Sequence, residues 1–119
     1  MKRIMCKSKI HRAKVTEADL NYMGSITIDK TVLKAVNMIE YEQVHVLNIT
    51  NGNRFITYTI EGEADSGIVC LNGAAARLVS KEDRVIIISY AEYSEKELGA
   101  FRPAIAIMSD ENKIIEMIS

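Results

Sequence analysis

The sequence has little of what marks several classes of protein: of its 119 residues one is proline, none is tryptophan and 6% are aromatic. Its two cysteines, Cys6 and Cys70, form no C-x-x-C pair, and we interpret them as reduced, buried thiols. No apolar run approaches the ~20 residues that a membrane-spanning helix needs. The basic residues in positions 1–10 are not followed by the apolar stretch of a secretory signal. These absences predict a cytoplasmic protein without a membrane segment.

Charge is nearly balanced, since 15 basic residues stand against 16 acidic ones and the net charge is −1. A non-specific nucleic-acid binder is normally basic, and a single-strand binder stacks aromatic side chains on the bases. The sequence has neither property, so we expect no nucleic-acid partner. Its 48% of hydrophobic residues is ordinary for a globular protein, and its length predicts a single domain over 1–119.

Most of the chain has the pattern of short strands separated by turns. Asn51-Gly52 predicts a hairpin, because both residues tolerate the positive φ angles of a type I′ turn. Residues 110–112 predict a second turn. The predicted strands are Lys2–Lys7, Ile10–Val15, Ser25–Ile28, Val44–Ile49, Arg54–Ile60, Gly67–Leu71, Arg84–Ala91, Ala104–Met108 and Lys113–Met117.

Helical patterns are few and short. Asp29 is placed to cap a helix over Lys30–Val36, and Ser94 to cap one over Glu95–Leu98 through a capping box with Glu97. Gly73 and the three alanines after it predict a third short helix. Many short strands and few helices favour a mainly β fold closed into a barrel, because closure removes exposed sheet edges. A β-sandwich is the alternative that periodicity does not separate from it.

Gly24-Ser25 is the first pattern with a chemical use. A Gly-Ser pair is most often a turn, but glycine also permits backbone geometry in which a peptide bond is held strained. The Ser25 hydroxyl is then able to attack the Gly24 carbonyl in an N→O shift. The resulting ester eliminates to dehydroalanine, whose hydrolysis leaves a pyruvoyl group. Serine suits this sequence because its oxygen is first the nucleophile and then the leaving group.

A second pattern lies in the strand that begins at Arg54. Arg54 and Tyr58 share one face of an ideal strand, about 13 Å apart, and Thr57 is on the other. A guanidinium binds a carboxylate through two parallel hydrogen bonds, and a phenol with a pKa near ~10 is protonated at neutral pH and donates a proton. In isolation the same residues are typical of a solvated arginine and a packed tyrosine.

Two further patterns complete the set. Asn72 and the small residues after it form a strand-to-helix turn that lets a ligand approach the backbone. The basic stretch from Lys9 to Lys14 is by itself typical of a solvated strand face. It contains His11, but neither His11 nor His45 has a carboxylate or cysteine at a supporting spacing, so we expect no metal.

The order of these patterns along so short a chain closely resembles that of the bacterial pyruvoyl-dependent aspartate 1-decarboxylases. The resemblance runs from about Met1 to Ser89 and continues more weakly through Arg102-Pro103. It is carried by Lys9-Ile10-His11-Arg12-Ala13-Lys14-Val15-Thr16, Ala18-Asp19-Leu20, Tyr22 with Gly24-Ser25, Asn48 with Thr50-Asn51-Gly52, Arg54, Thr57-Tyr58 and Asn72-Gly73-Ala74-Ala75-Ala76.

The resemblance implies a double-psi β-barrel that assembles as a homotetramer, with active sites between neighbouring subunits. It implies a proenzyme that cuts itself between Gly24 and Ser25 into a β chain (1–24) and an α chain (25–119). The product would decarboxylate L-aspartate to β-alanine for pantothenate and coenzyme A synthesis. Some relatives use an accessory maturation protein, and the same need is open for this chain.

Roles for individual residues follow from the resemblance as well. Ser25 would become the pyruvoyl group, which forms a Schiff base with the substrate, and Tyr58 would be the proton donor. Thr57 would assist processing and contact substrate. Arg54 and Lys9 would hold a substrate carboxylate. The pocket would be lined by Asn72, Gly73, Ala74 and Ala75.

Two positions depart from the relatives. Met23 stands where an acidic residue is frequent, and Leu47 where an aromatic one is frequent. Met23 precedes the cut and bears on processing speed, whereas Leu47 bears on packing at the pocket rim.

There are two competing hypotheses: a small-molecule-binding barrel without chemistry, and a structural or nucleic-acid-binding barrel. What counts against the first of them is the joint presence of Gly24, Ser25, Arg54, Thr57 and Tyr58.

Overall fold

The fold is a mixed β-sheet, and the computed structural model describes residues 1–21 and 24–118. Its strands are β1 (Lys2–Lys14), β2 (Glu17–Asp19), β3 (Ser25–Asp29), β4 (Gln43–Asn48), β5 (Arg54–Gly62), β6 (Val69–Asn72), β7 (Arg84–Ser94), β8 (Ala104–Met108) and β9 (Ile114–Ile118). Two short α-helices, α1 (Lys30–Ala35) and α2 (Glu95–Leu98), and a 3₁₀ helix (Gly73–Leu78) join them. The predicted mainly β fold with few short helices is confirmed.

The sheet closes on itself because β1 runs almost directly into β2. β1 pairs with β7, whereas β2 pairs with β6. Between them, the backbone N–H groups of Val15 and Thr16 donate to Asp83 and Val69 at 2.9 and 2.8 Å. The ring therefore runs β1/β2, β6, β3, β5, β4, β7 and back to β1. This closure favours the barrel over the sandwich and is consistent with the predicted double-psi β-barrel.

Aliphatic side chains fill the ring, because alternate residues of each strand point inward. Each such buried side chain contributes roughly 1.5–3 kcal/mol relative to exposure. Helix α1 adds Val32 and Leu33 to the same core. The ring residues that are at most 1% exposed include Ile10, Val15, Ile26, Ile28, Val44, Val46, Leu71, Val85 and Ile87.

The first two predicted strands are wrong as separate elements, since β1 is continuous from Lys2 to Lys14. Its pairing with β7 shifts register between Cys6 and Ser8 and again between Ile10 and Ala13. Such bulges absorb an extra residue without ending the strand, and Arg12 adopts a positive φ of 66° within the second. Strand β2 was not predicted, because its three residues pair through backbone atoms and show no apolar alternation.

The other seven predicted strands coincide with β3 to β9, and both α-helices are confirmed. Ser94 and Glu97 form the predicted capping box, with Glu97 N to Ser94 Oγ at 3.2 Å and Ser94 N to Glu97 Oε1 at 2.7 Å. The third helix is 3₁₀ rather than α. Cys70 is buried as predicted, whereas Cys6 is only half-buried.

The β4–β5 hairpin forms where Asn51-Gly52 predicted it, but its turn is not type I′. Gly52 has a φ of 80°, whereas Asn51 is not among the residues with positive φ. Instead, Asn48 Oδ1 accepts the Thr50 N–H at 2.9 Å, and Gly52 N donates to Asn48 O at 2.8 Å. A longer loop organised by the Asn48 side chain replaces the two-residue turn.

Asp29 is a buried anchor for two loops, and its replacement by asparagine should destabilise the fold. The carboxylate, in a residue 2% exposed, accepts N–H bonds from Thr31, Asp65 and Gly67 at 2.8, 2.9 and 2.9 Å. We expect Asp29→Asn to lower the free energy of unfolding by about 2 kcal/mol at pH 7, because an amide oxygen replaces a charged acceptor. Urea denaturation measures this difference.

The pH dependence of that difference has a definite sign. Burial alone would raise the pKa of Asp29, but the N–H donors of Gly67, Thr31 and Asp65 hold the pKa below its ordinary value. The stabilisation is therefore present above the pKa of the unfolded state and is lost as pH falls through the lower folded-state pKa. The difference in the free energy of unfolding between wild type and Asp29→Asn should therefore become smaller as the pH falls. Asp110→Asn, at an exposed carboxylate paired with Arg84, is the control; an equal loss there would refute the anchor role.

Candidate functional site

Ser25 is held by a side chain that the sheet brings from 47 residues away. It begins β3, is 1% exposed and lies opposite Asn72 in the antiparallel β3–β6 pair. Asn72 Nδ2 donates to Ser25 Oγ at 2.9 Å and to Thr27 Oγ1 at 3.1 Å. The Ser25 oxygen therefore accepts a hydrogen bond from a buried amide, which fixes its position beside Gly24.

The parallel β3–β5 pair brings Tyr58 to the same place. Ile26 is paired with Thr59, so the residues before them, Ser25 and Tyr58, lie at the same level of neighbouring strands. A cleft of about 370 Å³ opens there. Its described lining is Gly24, Phe55, Ile56, Thr57, Tyr58, Ala74, Ala75 and Leu78.

Thr57 and Tyr58 both border this cleft although they point to opposite faces of an ideal strand. Thr57 follows the inward series that contains Phe55 and the fully buried Thr59, whereas Tyr58 points outward towards Tyr41, with ring centroids 6.2 Å apart. The opposite facing of Thr57 and Tyr58 in an ideal strand therefore does not keep them from lining the same cleft.

The turn after β6 keeps the cleft open. Asn72 is extended and makes no side-chain cap for the 3₁₀ helix, which leaves its amide for Ser25. Gly73 has a φ of 65°, a conformation that other residues rarely adopt. Ala74 and Ala75 follow with minimal side chains. Apart from Gly24 and its chain neighbours, no heavy atom of the described residues lies within 4 Å of the position that a Gly24 Cβ would take.

Arg54 and Lys9 are predicted site residues that a single chain keeps apart from Ser25 and its cleft. Arg54 is exposed and borders a second cleft of about 340 Å³ that also contains Leu47. Lys9 is paired with Ile88 of β7, and β4 separates β7 from β5. At about 4.8 Å per strand, Lys9 is three strand spacings, or roughly 14 Å along the sheet, from β5. Tyr22 and Met23 lie outside the described residues, so the effect predicted for Met23 is untested.

A comparison with family models decides where the chain belongs. The model described as Aspartate decarboxylase matches residues 1–115. This chain is a member of that family. The resemblance identified from the sequence is confirmed.

Individual relatives of the aspartate decarboxylase family align over nearly the whole chain. The protein of Bacillus cereus named aspartate 1-decarboxylase is 55% identical over 118 residues, which are 99% of this chain and 93% of the relative. That of Anoxybacillus flavithermus is 56% identical over the same shares. That of Clostridium botulinum is 54% identical over 110 residues, 92% of this chain and 87% of the relative.

Two residues that contact Asn72 were not predicted from the sequence: Thr27 and Cys70. Thr27 accepts from Asn72 Nδ2, and Cys70 Sγ lies 3.2 Å from Asn72 Oδ1. Strand alternation would have found them, because Thr27 is two residues from Ser25 and Cys70 two from Asn72, which places each pair on one face. Their side chains complete a buried layer around the Asn72 amide.

Other polar groups stand away from this layer. Burial, with the charges of Lys9 and Arg12, lowers the pKa of His11, whose buried Nδ1 has no hydrogen-bond partner among the residues that the structure describes. Within residues 1–21 and 24–118, no group of three or more His, Cys, Asp or Glu side chains is arranged to hold a metal ion. In the same ranges no helix is long and apolar enough to span a membrane.

Proposed function

We propose that this chain is a cytoplasmic aspartate 1-decarboxylase that converts L-aspartate to β-alanine and CO2 for pantothenate and coenzyme A synthesis. Before acting, it cuts itself between Gly24 and Ser25, and Ser25 supplies the pyruvoyl group. One observation carries the proposal: the Ser25 hydroxyl accepts a hydrogen bond from buried Asn72 beside a cleft bordered by Gly24 and Tyr58.

The residues present fit a pyruvoyl group. The group is made from the backbone and side chain of Ser25, so it needs space and a hydrogen-bond donor rather than a separate binding site. Ala74, Ala75 and the open surroundings of Gly24 supply the space, and Asn72 Nδ2 supplies a donor. Such a group provides a sink for the electron pair that departing CO2 leaves behind.

Self-cleavage begins at the Ser25 oxygen. Oγ bonds to the carbonyl carbon of Gly24, the Gly24–Ser25 C–N bond breaks, and the hydroxyl proton passes to the freed amine, which balances the N→O shift. Asn72 assists because its Nδ2–H donates to Oγ, so that the hydroxyl proton of Ser25 points away from Asn72. We expect Thr57, which lines the same cleft as Gly24, to donate a hydrogen bond to the Gly24 carbonyl oxygen as it reacts.

Tyr58 acts after CO2 has left. Its side chain is half-buried at the level of Ser25, and its phenolic O–H is a proton donor. It donates that proton to the Cα of the substrate. The positioned donor, rather than bulk water, determines where the proton is delivered.

The substrate carboxylate requires Arg54 and Lys9, and the proposed homotetramer supplies them from a neighbouring subunit. The outer face of β5 is suited to such an interface, because Ile56 between Arg54 and Tyr58 is 58% exposed, and Tyr41 near Tyr58 is 71% exposed. Apolar side chains of this size are normally covered. A guanidinium from the partner then binds the carboxylate through two parallel hydrogen bonds.

A denaturing mass spectrum combined with a product assay tests this function. We expect fragments 1–24 and 25–119, the larger one blocked to N-terminal sequencing, and β-alanine from ¹³C-labelled aspartate. An intact chain that makes no β-alanine, alone or after incubation with lysate of a related bacterium, would contradict the proposal. Cutting only after lysate is added would identify a maturation protein as a partner.

Mixing two inactive variants tests the shared site. Arg54→Ala and Ser25→Ala should each be inactive in aspartate turnover, because each homotetramer lacks one half of every site. Unfolding and refolding them together should restore activity, since a mixed interface joins an intact Ser25 chain to an intact Arg54 chain. Ser25→Ala mixed with Tyr58→Phe is the matched control and should gain nothing, because both residues belong to the same half. If neither mixture recovered activity, Arg54 would act in the site of its own chain.

A further inference from the structure

Tyr41 has an unusual backbone conformation and lies beside the proposed proton donor. Its φ of 71° is in the left-handed region, which a bulky residue rarely adopts. Its ring centroid is 6.2 Å from that of Tyr58, at an interplanar angle of 45°, which is within the range of favourable aromatic pairs. Such a backbone conformation persists only where surrounding contacts impose it. We call residues 39–42 the Tyr41 turn.

Strand β5 holds the Tyr41 turn from one side. Tyr41 N donates to Thr59 O at 2.8 Å, and Thr59 N donates to Glu42 O at 3.1 Å. The hydroxyl of Thr59, which is fully buried, donates to Ile39 O at 2.7 Å. Because Thr59 directly follows Tyr58 in the chain, the two packed rings are attached to the same hydrogen-bonded backbone.

The Glu42 carboxylate holds the Tyr41 turn from the other side. Its Oε1 accepts from Ile39 N at 3.1 Å, and its Oε2 accepts from Lys7 Nζ of β1 at 2.6 Å and from Ser89 Oγ of β7. Burial alone would raise the pKa of Glu42, but these donors hold the pKa below its ordinary value, so the acceptor is charged at neutral pH. Strands β1, β5 and β7 therefore fix the turn together.

The Tyr58 phenol has to be directed at one reacting atom, and its strand does not fix that direction. Tyr58 lies on the outer face of β5, opposite the exposed Gln43 of β4. A side chain has three staggered χ1 positions, and a proton donor acts only from a position within hydrogen-bond reach of the reacting atom. A ring packed against the phenol favours one of these positions over the others.

We infer that Tyr41 is a positioning residue for decarboxylation, because its ring, held by the Tyr41 turn, keeps the Tyr58 phenol in one rotamer beside the cleft. This inference rests on the proposed function, in which Tyr58 donates a proton to the substrate Cα. The aromatic ring of Tyr41 makes the contact, so its hydroxyl is not required.

Replacing Tyr41 with asparagine tests the role, because it removes the ring and suits the backbone. Asparagine is one of the residues that adopt the left-handed region most readily, so the melting temperature of Tyr41→Asn should be at or above that of wild type. On fully cut protein we expect kcat to fall about fivefold, the effect of one aromatic pair, with KM unchanged. Tyr41→Phe is the matched control, and its ring should preserve kcat.

Three kinetic results would overturn the inference. One is a wild-type kcat in Tyr41→Asn, and another is a raised KM with an unchanged kcat, which would place the ring in substrate binding. The third is a fall in kcat together with a lower molar mass than wild type in light scattering, because the ring would then act between subunits.

A readout independent of turnover is the χ1 rotamer of Tyr58 in uncut Ser25→Ala protein, from NMR three-bond couplings to its β protons. We expect one dominant rotamer there and with Tyr41→Phe added, and averaged couplings with Tyr41→Asn added. One rotamer in all three proteins would also overturn the inference. If wild type makes no β-alanine, the proposed function fails, and these couplings still decide whether Tyr41 positions Tyr58.

Discussion

Replacing Ser25 with alanine should give a folded, uncut chain without decarboxylase activity. The variant lacks the oxygen that attacks the Gly24 carbonyl, and no other atom of the side chain can leave to produce the pyruvoyl group. The fold should survive, because losing the hydrogen bond from Asn72 to Ser25 Oγ costs only about 1 kcal/mol. Denaturing mass spectrometry gives the chain length, circular dichroism the fold, and β-alanine production the activity.

Thr27→Ala is the matched control for this experiment. It removes the other hydroxyl that accepts from Asn72 but leaves the Ser25 nucleophile in place. We expect it to be cut and to turn over aspartate. If Ser25→Ala protein still produced β-alanine, the pyruvoyl scheme would be wrong. If Thr27→Ala also remained uncut, the loss in Ser25→Ala would reflect the hydrogen-bonded layer as a whole rather than the nucleophile.

Replacing Tyr58 with phenylalanine should separate processing from turnover. The ring keeps its packing at the cleft, but the phenolic proton is gone, so cutting at Gly24 should proceed normally while kcat falls by about 10²-fold or more, the usual contribution of a positioned acid. KM should change little, because the substrate carboxylate is held elsewhere. Steady-state kinetics on fully cut protein measure both constants.

The neighbouring phenol provides the control for Tyr58→Phe. Tyr41 lies with its ring centroid 6.2 Å from that of Tyr58 and is 71% exposed. We expect Tyr41→Phe to leave kcat unchanged. A normal kcat in Tyr58→Phe would remove Tyr58 from the donor role, and a fall in Tyr41→Phe of equal size would transfer that role to Tyr41.

Features set by nearby residues were predictable from the sequence. The capping box of Ser94 and Glu97 is a contact across three positions, and α2 lies where it was predicted. The continuity of β1 was not predictable, because its two bulges are defined by pairing with β7, some 80 residues along the chain. The β4–β5 turn was half predictable: its position follows from Asn51-Gly52, but its conformation depends on the Asn48 side chain.

The candidate site also has parts that were predictable from the sequence and parts that were not. The resemblance pointed to Ser25, Asn72 and Tyr58, which the structure brings to one place. It pointed equally to Arg54 and Lys9, which lie elsewhere on the same chain and which the proposed homotetramer would supply from a neighbouring subunit. Cys70 was interpreted only as a reduced, buried thiol, although strand alternation places it on the same face as Asn72, with Sγ 3.2 Å from Asn72 Oδ1.

The passage of β1 directly into β2 determines what the cut does to the molecule. Fragment 1–24 carries both of these strands, and they occupy the place in the ring between β7 and β6. The proposed cut at Gly24 would therefore remove a covalent link without freeing either piece, because β1 pairs with β7 and β8 and β2 pairs with β6, so the fragment departs only if three rows of backbone hydrogen bonds open. Residues 25–119 made alone would leave the edges of β7, β8 and β6 that face these strands unpaired. We therefore expect the sheet to form before the cut, and the small fragment to remain one of its structural parts afterwards.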